Sequence, residues 1–158
     1  MKKRQIIAGA MGILMMSVVI LPVHAETMDV TYREPNNYTV TIPSSVDLSN
    51  GATSKQIEVK DVNLEPSREI KVKITQGVDS NGVVELSRED DTETKAVTTI
   101  SITQSGTGIA KDTDFVSFTA NGTQDLYFSD LEAKNGGTIK AGNYNGQLVF
   151  TVTAPEKK

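Results

Sequence analysis

Apolar and polar residues alternate along most of the chain, so that every second side chain is hydrophobic. The clearest alternating runs lie at residues 38–42, 57–60, 70–75, 99–103 and 147–153. These runs are rich in Val, Ile and Thr, the β-branched residues that pleated strands favour. One apolar and one polar face per run is the pattern of antiparallel sheets that bury a single side. Shorter runs predict weaker strands at residues 29–32, 83–86, 115–119 and 125–128.

The segments between these runs contain the Asn, Asp, Gly and Pro residues that turns use. No long stretch shows the 3.6-residue period of an amphipathic helix. The sequence therefore predicts an all-β fold, a single immunoglobulin-like, Greek-key β-sandwich of about eight or nine antiparallel strands. A closed barrel is the alternative. Within the fold we expect Ile100 and Ile102 on one buried face, a hairpin turn at Asp79–Gly82 and a solvated loop at Glu89–Glu93.

The first 25 residues have the layout of a secretory signal peptide. A cationic start is followed by an apolar stretch and then by Val23 and Ala25, the small residues of a cleavage site. We expect cleavage between Ala25 and Glu26, which divides the chain into a signal peptide, residues 1–25, and a single β-sandwich domain, residues 26–158. A transmembrane helix is the alternative for this segment, because about 18 apolar residues can just span a bilayer. With cleavage, no membrane span is expected in the mature protein.

The mature protein is acidic and contains no cysteine. Removal of Lys2, Lys3 and Arg4 leaves thirteen basic residues against twenty acidic ones, so the net charge falls from −4 to −7. Such a surface repels nucleic acids and anionic lipids, so neither is an expected partner. The cysteine-free composition excludes disulfides, so an exported domain of this kind depends on its hydrophobic core.

The residues that most catalytic centres need are missing from the mature sequence. The single histidine, His24, leaves with the signal peptide, and without His and Cys neither a nucleophilic triad nor an ordinary zinc site can form. Carboxylates are numerous, but no spacing singles out a catalytic pair. The chain also has no tryptophan, which disfavours a sugar-stacking platform. We therefore expect no enzymatic activity and no cofactor.

Two acidic residues are the best candidates for a metal ion. Asp90 and Asp91 lie in the densest acidic stretch, "SREDDTETK", and calcium prefers several converging oxygen ligands. The ordinary alternative is a solvated loop at this position. Whether calcium binds there is left open by the sequence.

A glycine-flanked tyrosine precedes the last predicted strand. In "IKAGNYNGQLVF", Tyr144 lies between Gly142 and Gly146 and is predicted to share a face with Leu148 and Phe150. The spacing is that of a tyrosine corner, in which the hydroxyl bonds back to the chain entering a strand that crosses between sheets. These three residues are therefore predicted to be structural, and ligand stacking on Tyr144 is the alternative.

Two longer stretches carry a resemblance to a known group of proteins. "YTVTIPSSVDLSNGATSKQIEVKDVNLEPSREIKVKI" and "IKAGNYNGQLVFTV" are similar to the opening and closing strands of secreted or cell-surface β-sandwich domains of Firmicutes, which are Gram-positive bacteria. The resemblance covers most of residues 38–153 and implies an adhesin-like protein, related in style to the WxL group. The chain lacks the Trp-x-Leu motifs of that group, and it shows no sorting signal for covalent attachment to the wall.

These observations predict a non-enzymatic secreted or cell-surface protein, extracellular or noncovalently associated with the cell wall. Its expected role is an adhesin-like or wall-associated binding module, with a cell-wall polymer, a host glycan or another surface protein as partner. The alternative is a structural subunit of a surface fibre assembled by β-strand addition. In that case the run "MDVTYR", residues 28–33, would pair with the edge of a neighbouring copy. Otherwise this run is an ordinary first strand of its own sheet.

Overall fold

The structure is a computed structural model that describes residues 28–157. The expected signal peptide and its cleavage site at Ala25 and Glu26 lie outside the described residues. Residues Pro35–Lys158 form a compact unit, and residues 28–34 belong to a separate unit that begins at Met1.

The compact unit is built from ten strands, and residues 28–157 contain no helix. The strands are β1 (Asn37–Thr41), β2 (Thr53–Asn63), β3 (Ile70–Gln76), β4 (Val83–Arg88), β5 (Asp91–Ser101), β6 (Asp114–Phe118), β7 (Gly122–Phe128), β8 (Glu132–Ala133), β9 (Tyr144–Asn145) and β10 (Val149–Thr153). The predicted all-β class is confirmed. The strand number exceeds the expected eight or nine because the two-residue strands β8 and β9 are too short to leave an alternating pattern in the sequence.

The strands form two antiparallel sheets. The large sheet has the order β1-β2-β7-β5-β4-β9, with β8 also paired to β5, and the small sheet has the order β10-β3-β6. Each sheet ends in strands that pair on one side only, so the strands do not form one closed barrel. The chain passes between the two sheets several times, and most pairings join distant parts of the sequence.

One hydrophobic core receives side chains from both sheets. On β3, Ile70, Val72 and Ile74 are fully buried, whereas Lys71 and Lys73 point to the opposite face and stay partly accessible. This alternation follows directly from the two-residue period of a strand. The large sheet contributes its own alternating residues to the same core, among them Ile57, Val59, Val84, Ile100, Leu126 and Phe128.

The turn at Asp79–Gly82 forms as predicted, but it does not close a hairpin. Its backbone is fixed by the Asp79 carboxylate, which accepts hydrogen bonds from the amides of Asn81 and Val83, both at 2.8 Å. The strands on either side, β3 and β4, belong to different sheets. The expectation of a hairpin was therefore wrong, because turn residues determine a local change of direction and not the partner of the next strand.

Strand β5 is shifted relative to its predicted position. It starts at Asp91, inside the expected loop, because Arg88 of β4 pairs with Asp91 across a two-residue connection. It ends at Ser101, whose hydroxyl donates to the Thr103 carbonyl at 2.6 Å. Ile102 lies past that end and is 38% exposed, so its predicted place on the buried face was wrong.

Residues 28–36 form no strand, although residues 29–32 were predicted to form one. The described part of this segment is exposed throughout. Alternation specifies which side chains would share a face, but a strand also needs a partner for its backbone. The prediction of an ordinary first strand here was wrong.

Candidate binding groove

The compact unit has a groove of about 1050 Å³ on its surface. It is lined mainly by loop 42–49, by residues of β4, β5 and β7, by segment 139–148, and by Phe150 of β10. A cavity of this size is at the upper end of what binding sites for small molecules or peptide segments occupy. We therefore take it as the candidate functional site and refer to it as the groove.

The base of the groove is apolar because consecutive inward-facing residues of two strands reach it. Val84 and Leu86 alternate on β4, and Leu126 and Phe128 alternate on β7. Val84, Leu126 and Phe128 are buried, and Leu86 is half-buried. The groove thus extends from the surface to the edge of the hydrophobic core.

The groove adjoins the edge of the small sheet. Its lining includes Leu148, just before β10, and Phe150, the second residue of β10, but no residue of β3 or β6. Strand β10 pairs with β3 on one side, and no described strand pairs with its other side. An unpaired strand edge presents a row of backbone donors and acceptors. Apolar side chains and free backbone groups therefore meet at this border of the groove.

The aromatic ring of Phe150 contacts a residue of β6, the strand at the opposite edge of the small sheet. It packs edge-to-face against Phe115 of β6, with ring centroids 6.5 Å apart and an interplanar angle of 71°. Such pairs stabilise by about 0.5–1.5 kcal/mol beyond the area they bury. The border of the groove at Phe150 is thus supported by the core.

Hydrogen bonds to Glu89 fix the segment that closes one side of the groove. The Glu89 carboxylate accepts hydrogen bonds from the side-chain amides of Asn143, at 3.1 Å, and Asn145, at 2.6 Å. The backbone amide of Glu89 also donates to the Asn143 carbonyl at 2.9 Å. These contacts join segment 139–148 to the β4–β5 connection.

Loop 42–49, on another side of the groove, is ordered by its own side chains. The Asp47 carboxylate accepts from the Ser49 hydroxyl at 2.5 Å and from the Ser49 amide at 2.8 Å. These two hydrogen bonds, the hydroxyl's first, lower the pKa of Asp47. Val46 and Leu48 of the same loop are half-buried against the core. Sequence reasoning missed this loop, although two alternating apolar residues within a polar, turn-rich stretch were the available signal.

The predicted tyrosine-corner residue makes a hydrogen bond back along the chain. The Tyr144 hydroxyl donates to the Lys140 carbonyl at 3.0 Å. Tyr144 lies on β9, at the edge of the large sheet, whereas Phe150 lies on β10 in the small sheet. The two residues therefore do not share a strand face as predicted, but both line the groove, since the chain crosses between the sheets after β9.

The two flanking glycines lie where side chains would collide with β4. Gly142 has a φ of +146°, and a Cβ there would be 2.8 Å from Cδ of Arg88. A Cβ on Gly146 would be 2.9 Å from the Glu85 carbonyl oxygen. Both distances are shorter than ordinary carbon contacts, so glycine lets segment 139–148 approach β4 closely.

The structure does not bring Asp90 and Asp91 into a calcium site. Asp90 is ion-paired with Arg88, with an Nε–Oδ1 distance of 2.5 Å. Asp91 accepts from the Thr94 hydroxyl at 2.6 Å, and this bond is the main cause of its lowered pKa. Within residues 28–157 no three His, Cys, Asp or Glu side chains lie close enough to hold a metal ion.

A second charged cluster lies on the outer face of the large sheet. The Glu85 carboxylate is contacted by the ammonium groups of Lys134 and Lys95, the latter at 3.1 Å. Hydrogen bonds from Lys134 and then Lys95 lower the pKa of Glu85. The three side chains are partly solvated, so this cluster is a surface ion pair joining β4, β5 and the end of β8.

Neither a protein-family model nor a curated protein sequence matches this chain. In the part of the chain that the structure describes, no helix is long and apolar enough to cross a membrane.

Proposed function

We propose that this protein is a non-enzymatic secreted or cell-surface β-sandwich protein that works as an adhesin-like or wall-associated binding module. The observation that carries the proposal is the groove, where an apolar base adjoins the unpaired edge of β10. The charged-start, apolar segment at residues 1–25 and the resemblance to Gram-positive surface domains support its export. The mature protein is then extracellular or noncovalently attached to the wall.

The immunoglobulin-like, Greek-key assignment is part of the same proposal. It is supported by the order in which strands enter the two sheets, because β3, β6 and β10 alternate along the chain with strands of the large sheet. The long-range pairing of β2 with β7, and of β3 with β10, is typical of such topologies.

The composition of the groove favours an extended polypeptide of another surface protein over a sugar polymer. A strand edge binds a peptide backbone by hydrogen bonds, and an apolar base accepts every second side chain. Sugars are instead bound on exposed aromatic faces, whereas the aromatic residues of the groove lining are buried, as Phe128 is, or half-buried, as Tyr144 and Phe150 are. A cell-wall polymer or a host glycan remains the competing partner in the experiment.

The test uses a variant that fills the groove without disturbing the core. Ser45 is an exposed residue of the groove lining, whereas Ser105 is exposed and lies outside it. The full chain is expressed, recovered after export, and incubated with isolated cell walls, membranes and extracted surface proteins across a salt series. We expect retention at moderate salt that S45W abolishes and S105W preserves. Absence of retention on every fraction, or equal retention of both variants, would contradict the proposal.

A second function, a structural subunit of a surface fibre assembled by strand addition, is favoured by a separate observation. Residues 28–32 form no strand, and their large apolar side chains are exposed. Such a segment can serve as an added strand for a neighbour's free edge. Size measurement of the exported protein over a range of concentrations tests this function, which requires species larger than a monomer.

A further inference from the structure

The apolar side chains of the N-terminal segment are unusually accessible. Met28 is 79% exposed, Val30 82% and Tyr32 75%, and the only other large hydrophobic residue exposed among residues 28–157 is Ile102. The three alternate with Asp29 and Thr31, so they would share one face of an extended strand. Clustered exposed hydrophobic residues usually indicate an interaction surface.

The backbone of this segment is also available for pairing. Residues 28–32 belong to no strand and make no backbone hydrogen bond to another described residue. Among the described residues, the side-chain hydrogen bond of this segment is local, from the Tyr32 hydroxyl to the Glu34 carboxylate. The segment thus has the alternation of a strand without the pairing.

Strand β10 has the properties of a matching acceptor. It comprises five residues, Val149–Thr153, and its unpaired edge meets the groove at Phe150. Five extended residues span about 17 Å at 3.3–3.4 Å per residue, so a donor at residues 28–32 has the same length as β10. The other groove-lining edge, β9, has only two residues. Next to β10, an added strand would place every second side chain on the same face as Phe150, which lines the groove.

We propose that residues 28–32 of one copy add as a strand to the free edge of β10 in a second copy, with Met28, Val30 and Tyr32 entering the groove. This pairing, which rests on the proposed strand-addition function, names both its donor and its acceptor. Donor and acceptor are different surfaces, so a copy that joins through one of them keeps the other free. A contact of this kind generates an open-ended fibre and not a closed dimer.

Hydrogen bonds within the compact unit show where the chain enters it, which matters because residues 28–32 could also pair within their own copy. The Asn36 side chain accepts a hydrogen bond from the Glu65 amide at 2.7 Å, Glu65 pairs with Arg68 at 3.1 Å, and Arg68 donates to the Ala154 carbonyl at 2.9 Å. The chain therefore enters the unit close to the C-terminal end of β10. The experiment must therefore separate pairing within one copy from pairing between copies.

The donor is tested by V30D against the matched control T31D, which adds the same charge to the opposite face. The exported full chain is measured by light scattering across a concentration series, with electron microscopy of the largest species. We expect concentration-dependent oligomers for the wild type and for T31D, and a midpoint concentration raised at least about tenfold for V30D, equivalent to about 1.4 kcal/mol. Unchanged assembly of V30D would overturn the proposal.

Mixing two defective copies tests the pairing of donor with acceptor. V30D keeps a free acceptor, and S45W, which fills the groove, keeps a free donor. At a concentration between the midpoints of the wild type and of V30D, each variant alone should remain monomeric, and an equimolar mixture should form dimers and nothing larger. Failure to form the mixed dimer would contradict the assignment, as would a wild type that is monomeric at all concentrations with residues 28–32 protected from proteolysis.

The outcomes also distinguish the assignment of donor and acceptor from the strand-addition function on which it rests. If V30D assembles like the wild type while S45W does not, strand addition stands and residues 28–32 are the wrong donor. If neither variant nor wild type assembles but S45W abolishes wall retention, the binding function stands and self-assembly is excluded. A synthetic peptide of residues 28–35, added in excess, should shorten wild-type oligomers, and the same peptide with V30D should not.

Discussion

Replacement of Gly77 by alanine is expected to be far more destabilising than the same change at Gly137. Both glycines have a positive φ, +84° and +85°, which costs an L-residue about 1–2 kcal/mol. The surroundings differ, because a Cβ on Gly77 would lie 1.7 Å from the Gln147 carbonyl oxygen, whereas nothing lies within 4 Å of one on Gly137. The difference between the variants therefore isolates the contact between the end of β3 and the chain entering β10.

The expected losses in the free energy of unfolding follow from the positive φ at both positions and from the close contact at Gly77. Gly137→Ala should lower the free energy of unfolding by about 1–2 kcal/mol, the cost of its backbone conformation alone. Gly77→Ala must also displace backbone atoms, which adds about 1–3 kcal/mol by the usual cost of overpacking. For the compact unit Pro35–Lys158, which has 124 residues, each kcal/mol corresponds to about 4 °C in Tm.

The assay is urea denaturation followed by circular dichroism, with thermal unfolding as a second measure. The slope of the unfolding free energy against urea should be unchanged, because it depends on the surface exposed and not on the strain. Equal destabilisation by the two substitutions would refute the reasoning, since it would mean that Gly77 is not packed against the backbone of Gln147.

Three further predictions concern single side chains. Tyr144→Phe removes the hydrogen bond from the Tyr144 hydroxyl to the Lys140 carbonyl and should lower the free energy of unfolding by about 0.5–1 kcal/mol, measured by urea denaturation. An equal loss for Tyr127→Phe, whose hydroxyl bonds to no described residue, would contradict this role of Tyr144. Ile74→Ala truncates a fully buried side chain and should lower the free energy of unfolding by about 2–5 kcal/mol. Ile102→Ala, at an exposed position, should lower it by less than about 0.5 kcal/mol. Similar losses for the two variants would disprove the assignment of Ile74 to the core. Glu85→Gln should reduce the loss of stability on acidification. The lowered pKa of the Glu85 carboxyl stabilises the folded protein at pH values above 4.5, the ordinary pKa of the group. This stabilisation disappears as the pH falls through the lowered pKa. Unfolding curves at pH 7 and pH 3 measure this, and an identical pH dependence in variant and wild type would show that the two lysines contribute nothing.

The alternating pattern predicted the longer strands well. Residues such as Val40, Ile57, Ile70 and Ile100 lie inside the strands that their runs indicated, because β-branched alternation specifies a half-buried pleated segment. The ends of these strands were less predictable. Ile102 continues the alternation of β5 but lies outside it, since the chain turns at the Ser101 hydrogen bond to Thr103.

The groove could not be predicted from the sequence because it depends on which strands become neighbours. Pairing of β2 with β7 joins residues such as Ile57 and Gln124, far apart in the chain, and no local pattern encodes that choice. The same limit applies to residues 28–32, where alternation is present and the partner is not. The Tyr144 hydrogen bond is local, because its hydroxyl and the Lys140 carbonyl are four residues apart. The close contacts at Gly142 and Gly146 are instead made with β4, which is distant in the sequence.

The most direct test of the account is residue-level hydrogen exchange of the β10 amides, Val149–Thr153, in the free and the bound or assembled protein. We predict that amides of β10 facing away from β3 exchange quickly in the free protein and become protected when an extended segment occupies the groove. Amides that pair with β3 should be protected in both states and serve as the internal reference. Full protection of β10 in the free protein, or unchanged exchange at its outer edge on binding, would contradict the central claim that this edge and the groove together take an extended strand.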